Sequence, residues 1–75
     1  MASHSHILIV EDDPFIVEVL TAMLELDYSI SSANSVGEAL AFLRTSHVDV
    51  VLVDMVLPDG RGAEVACVAE GVGAA

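Results

Sequence analysis

An α/β fold, with a parallel sheet and helices on its faces, is what this sequence predicts, and three observations predict it. Ile7-Leu8-Ile9-Val10 and Val50-Val51-Leu52-Val53 are apolar runs without polar alternation. Such runs read as strands buried on both faces, as central parallel strands are. Each run stops on acid, at Glu11-Asp12-Asp13 and at Asp54. Amphipathic helical patterns lie between and after the runs, giving the order β-α-β-α-β-α. Right-handed crossovers then require a parallel sheet, and such sheets hold their ligands at the carboxyl ends of the strands.

Residues 1–6 form a polar leader. With Met1 removed, His4 would stand third from a free amine, an arrangement that chelates Cu(II) or Ni(II); the simpler reading is a solvated tail. After the first strand, Asp13 caps a helix that has Pro14 at its first position. Ile16, Val19, Leu20 and Met23 follow the i, i+3, i+4, i+7 spacing of one buried face, Glu18 and Glu25 point away, and the helix is expected to end near Leu26 or Asp27. Residues 28–32 read as an edge strand. Ser35-Val36-Gly37-Glu38 has the capping-box form, and Val36, Ala39, Leu40 and Leu43 make the next stripe. Arg44 suits the negative end of that helix. Thr45-Ser46-His47 is a loop, with His47 a solvated residue. The third strand ends in a loop at Pro58 and the Asp59-Gly60 dipeptide, both residues of which read as turn formers. Residues 63–69 make two helical turns with Val65 and Val68 inward and Cys67 as a small core side chain. Gly71 and Gly73 stop them, and residues 71–75 form a tail.

Composition narrows the function. A chain of 75 residues is one small domain. It is 55% hydrophobic, with a mean hydropathy of +0.71, so either the core is almost wholly aliphatic or some apolar surface serves another partner. Its formal net charge is -10, its strong bases are Arg44 and Arg61 alone, and it has no Lys. Direct nucleic-acid binding and acidic membrane surfaces are therefore not expected. The single cysteine forms no internal disulfide. No segment has the roughly 18 apolar residues of a membrane helix or the pattern of a signal peptide, and a cytoplasmic location is expected.

Two parallel strands that both end in acid bring those acids together. Two unit charges about 4 Å apart interact by roughly 4 kcal/mol at an effective dielectric of 20. The cluster therefore needs a raised pKa or a bound cation. Carboxylate oxygens suit Mg²⁺, which favours one or two carboxylates with water and phosphate oxygens.

These residues carry a resemblance. The segment from Ile7 to Pro14, followed by Val50 to Pro58 and Gly62, resembles the receiver domain of bacterial two-component response regulators. The resemblance covers residues 7–70, the first three β-α units of a flavodoxin-like (CheY-like) doubly wound parallel sheet. It implies Asp54 as phospho-acceptor, and Glu11 and Asp12 as the acidic pair holding Mg²⁺ with Asp54, Asp12 the more direct ligand. It implies the Val56 backbone carbonyl as a further ligand, and Pro58 and Gly62 as the loop into the third helix. Its implied partner is a sensor histidine kinase or phosphotransfer protein. It implies a signalling module that turns over no external substrate.

The family pattern has five strands, and this chain offers three. The Ser or Thr after strand four and the Lys after strand five have no counterpart. In the family order 2-1-3-4-5 strand three is interior; in the 2-1-3 order of this chain it becomes an edge, so the expectation is either a fragment of a longer receiver or self-association through that strand. A degenerate interaction module without phosphotransfer is the alternative. Met55 either gates the acceptor or packs beside it, and Asp13 caps rather than binds metal. A haloacid dehalogenase-type phosphatase would need a second Asp at position 56, where Val stands. A dinucleotide-binding domain would need a Gly-rich turn after strand one.

Overall fold

The computed structural model describes residues 5–54 and 56–74, with Val56 described by its backbone only. Its elements are β1 (His6–Val10), α1 (Pro14–Leu24), β2 (Ser29–Ala33), α2 (Val36–Thr45), β3 (Val50–Val53), β4 (Val56–Leu57), β5 (Gly60–Arg61) and α3 (Gly62–Gly71). β1, β2 and β3 form a parallel sheet of order β2-β1-β3. The most buried strand is thus the central one, with Leu8, Ile9 and Val10 closed off from solvent.

The alternation of β1 divides its side chains between two faces. Leu8 and Val10 enter a core with Val36, Ala39 and Leu43 of α2 and with Val65 and Ala69 of α3. The other face carries α1, and here the expectation is overturned. The Ile16, Val19, Leu20 and Met23 stripe is not buried: no residue of α1 is, with Ile16 at 41% and Met23 at 69% exposure. Among the described residues α1 alone covers that face, and between its Ile16 and Leu20 and the Leu52 of β3 runs an open groove. α1 also ends at Leu24, short of Leu26, and passes into turns in which the Tyr28 N–H donates to the Leu24 carbonyl at 3.0 Å. β3 is likewise half-buried and lies at the sheet edge, with Leu52 38% exposed, rather than enclosed on both faces.

The helix starts follow their caps. Asp13 Oδ1 accepts the Phe15 N–H at 2.9 Å, and Ser35 Oγ accepts the Glu38 N–H at 3.1 Å. Glu38 reaches back to the Asn34 N–H rather than to that of Ser35. The expected loop after β3 contains a small hairpin, with Val56 opposite Arg61 and Leu57 opposite Gly60. Leu57 anchors it in the core. Cys67 is exposed rather than part of the core, because Val65 and Ala69 take the inward positions of α3.

At the amino end of the sheet, Asp49 joins two strands. Its Oδ2 accepts the His6 N–H at 2.7 Å, and its Oδ1 meets His47 Nε2 at 2.9 Å. His47 is therefore exposed yet paired, not a bare loop residue. The His6 ring lies 2.8 Å from the His47 carbonyl through Nδ1 and 2.7 Å from Ser31 Oγ through Nε2. A nitrogen facing a carbonyl carries the proton.

Two outcomes follow from this packing. Leu8→Ala empties a closed site and costs about 2–5 kcal/mol, whereas Met23→Ala on the exposed stripe stays within about 0.5 kcal/mol; urea unfolding followed by circular dichroism distinguishes them. The His6 N–H, and then His47, hold the Asp49 carboxyl below its usual range. A depressed carboxylate contributes stability above its unfolded pKa and loses it as pH falls through the folded value. The acid limb of the stability profile, below about pH 4, is therefore shallower in Asp49→Asn.

Candidate functional site: an acidic pocket at the carboxyl edge of the sheet

Register builds the pocket. Val10 of β1 is paired with Ala33 of β2 and with Val53 of β3. The ladder runs one step further on each side: the Glu11 N–H donates to the Ala33 carbonyl and the Asp54 N–H to the Val10 carbonyl, both at 3.0 Å. β1 and β3 meet their first acids at the same height, so Glu11 and Asp54 emerge side by side. Asp12 follows before the chain turns into α1.

One carboxylate oxygen from each of Glu11, Asp12 and Asp54 lies within 4.8 Å of the others. Glu11 and Asp54 are half-buried and Asp12 is exposed. Asp13 stands apart, its side chain committed to the α1 cap. The Asp13 N–H donates to Glu11 Oε1 at 3.3 Å, which favours the charged carboxylate. Partial burial outweighs it, aided by the charge and hydrogen bond of Asp54 and the charge of Asp12, and raises the Glu11 pKa. Crowded carboxylates in this state favour either a proton or a cation.

The donor set fits a hard divalent ion. Mg²⁺ takes oxygen ligands at about 2.0–2.1 Å, so oxygens sharing one ion lie at most about 4.2 Å apart, within small side-chain adjustments of this cluster. Open space flanks the acids. The groove beside α1, about 330 Å³, has Ile9, Ile16, Leu20 and Leu52 along it and Glu11 and Asp54 at its end. A second hollow, about 470 Å³, lies on the β2 side between Asp12, Glu18, Ser32, Asn34 and Glu38.

The structure thus brings together Glu11, Asp12 and Asp54. Val56 begins β4 two residues beyond Asp54, opposite Arg61. Met55 lies outside the described residues. One residue near the site escaped the sequence reading. Asp59, expected only to form a turn, accepts the Val36 N–H at 2.7 Å through Oδ1 and the Gly37 N–H at 2.9 Å through Oδ2. These bonds hold its carboxyl below the usual range. No local pattern announces a cap whose donors lie 22 and 23 residues away.

Fold and site together define an α/β module with an acidic pocket at its strand ends. A model of the response regulator receiver domain matches residues 7–67, and the chain belongs to that family. Protein PilH of Pseudomonas aeruginosa is 41% identical over 59 residues, 77% of this chain and 49% of its own length. The probable transcriptional regulatory protein TcrX of Mycobacterium tuberculosis is 33% identical over 60 residues, 79% of this chain and 26% of its own. Among solved structures, a CheY-like receiver domain from Methanospirillum hungatei superposes with a TM-score of 0.87 at 34% identity, over 93% of this chain and 57% of that one. The response regulator TrrA of Thermotoga maritima, solved in complex with Mg²⁺ and BeF, superposes with a TM-score of 0.82 at 35% identity, over 89% of this chain and 59% of that one. The chain spans between about a quarter and a half of the length of these curated relatives. No described helix is long and apolar enough to cross a membrane.

Removing one of the repelling charges relieves the cluster. Without divalent cations, Glu11→Gln raises the thermal midpoint by a few degrees at neutral pH. A carboxyl with a raised pKa weighs on the folded state only as pH rises toward and through that value. The gain therefore vanishes below the ordinary glutamate pKa, and melting curves at two pH values check it.

Proposed function

We propose that this chain is a phospho-accepting receiver, in which Asp54 takes a phosphoryl group from a histidine kinase or phosphotransfer protein in a Mg²⁺-dependent reaction. Phosphoryl acceptance and Mg²⁺ dependence are general properties of the family. The observation that carries the proposal is the meeting of Glu11, Asp12 and Asp54 at one edge of the sheet.

Asp54 is the nucleophile. One of its oxygens approaches phosphorus from the side opposite the donor nitrogen; the P–O bond forms as the P–N bond breaks, and the donor imidazole keeps the nitrogen electron pair. The backbone bond from the Asp54 N–H to Val10 holds the nucleophile at the strand end, and positioning of this kind supplies much of the rate in phosphoryl transfer. Glu11, Asp12 and Asp54, with the Val56 carbonyl, are the residues that would hold Mg²⁺. The ion would supply positive charge to the transferring oxygens, in a chain whose strong bases are Arg44 and Arg61 alone. The groove beside Asp54 leaves the acceptor open to a donor. Receiver domains are typically non-catalytic signalling modules, and we assign this one no external substrate and a cytoplasmic place.

A specific observation favours a second property. β3 is an edge strand whose Leu52 is exposed beside the α1 groove. Such an edge recruits another strand, and we infer self-association through it. Light scattering after size-exclusion chromatography is expected to give more than the monomer mass; a stable monomer counts against it.

Phosphotransfer is checked with acetyl phosphate and Mg²⁺, read by intact mass. The native chain gains one phosphoryl group and Asp54→Asn gains none. Asp12→Asn is slowed by at least about 10-fold, as loss of metal support requires. An unmodified native chain that remains folded would leave the interaction-module reading in its place.

A further inference from the structure

We propose that Asp59 is a positioning residue for the acidic pocket: its carboxylate latches the β4–β5 hairpin to the amino terminus of α2 and so fixes the backbone at Val56. The inference rests on the proposed cation-binding role of that pocket.

The first N–H groups of a helix have no partner within it. In α2 they are shared between two acceptors of different origin. Ser35, next to the helix in sequence, takes the Glu38 N–H. Asp59, from the hairpin tip, takes the Val36 N–H on one oxygen and the Gly37 N–H on the other. A carboxylate at a helix amino terminus meets both free donors and the positive end of the dipole, and bonds to an ionised acceptor are the stronger kind. The grip is two-pronged, so it sets the orientation of the tip as well as its distance.

The hairpin transmits this grip. Pro58 and Asp59 form its two-residue tip, and Leu57–Gly60 and Val56–Arg61 are its rungs. Leu57 is buried in the core on one side. The hairpin also lies close to α2 and α3: a Cβ at Gly60 would come within 3.2 Å of Val36 Cγ2 and 3.0 Å of Glu64 Oε1. Val56, at the open end of the same ladder, is two residues from Asp54 and is the position whose carbonyl is assigned to the cation. With its tip released, the hairpin would keep the Leu57 anchor and the Arg61 N–H bond to Glu64 Oε1 at 3.4 Å but lose its two-pronged hold on α2. Asp59 touches no ligand in this scheme and acts through the hairpin backbone at Leu57 and Val56.

The latch makes cation affinity depend on Asp59 separately from helix stability. Mg²⁺ alone is titrated calorimetrically into the native chain, Asp59→Ala, Asp59→Asn and Ser35→Ala, and amide hydrogen exchange is followed in each. Asp59→Ala is expected to bind about 10-fold more weakly, the usual scale for a residue supporting a metal ligand, with faster exchange at Gly60 and Arg61. Asp59→Asn, which keeps one acceptor oxygen, falls between. Ser35→Ala loosens the same helix end without releasing the hairpin and keeps the native affinity. Equal weakening by Ser35→Ala and Asp59→Ala, or native affinity in both Asp59 variants, would overturn the latch while leaving the cation pocket intact. A native chain that binds no Mg²⁺ would overturn the pocket and the latch together. Should Asp59→Ala fail to fold, Asp59→Asn against Ser35→Ala decides the matter.

Discussion

The parallel register of β1 against its two neighbours is the constraint on which everything else here depends. Val10 faces Ala33 on one side and Val53 on the other. Because the apolar runs of β1 and β3 end at that same level, their terminal acids are delivered together. The side-chain period of a strand is two, so a slip of one residue would exchange the faces of β3 and also lift Asp54 away from Glu11. Burial of Leu8 and Val10 against α2 and α3 resists such a slip. So does the Asp49 bridge at the far end of the same two strands. A hydrophobic preference is thereby turned into the placement of charge.

That placement opposes stability: partial burial first, and the neighbouring charges of Asp54 and Asp12 after it, raise the Glu11 pKa. A structure tolerates such a cluster when something else is gained. The means of holding it are modest and distributed: two backbone bonds beyond the strand ends, one N–H from Asp13, and a core that is almost entirely aliphatic. The protein concentrates its packing on the α2 and α3 face and leaves the α1 face open. Apolar side chains such as Phe15 and Met23 remain exposed there.

Much of this was legible in the sequence, for physical reasons. Apolar runs identify the strands, though only β1 is buried as its run suggests; Asp13-Pro14 and Ser35 mark helix starts, and acids at both strand ends foreshadow a shared pocket. What escaped depends on tertiary context. The α1 stripe has the period of a buried helix, but the pattern does not reveal whether enough sheet lies beneath to cover it. Cys67 sits among small apolar residues, yet the helical phase of α3 is set by Val65 and Ala69. Asp59 looked like a turn residue because it is one; its second role needs the fold to bring α2 alongside. His47 similarly looked solvated, and is, while also pairing with Asp49.

The central claim is that Glu11, Asp12 and Asp54 share one divalent ion. Titrating the isotope-labelled chain with paramagnetic Mn²⁺ and following amide line broadening tests it most directly. Broadening that begins at residues 10–13 and 53–57, is relieved by excess Mg²⁺ and is lost in Asp54→Asn is the predicted result. Broadening spread evenly over the exposed acids of α1 and α2, with the two strand ends no more affected than Glu18 or Glu25, would contradict it.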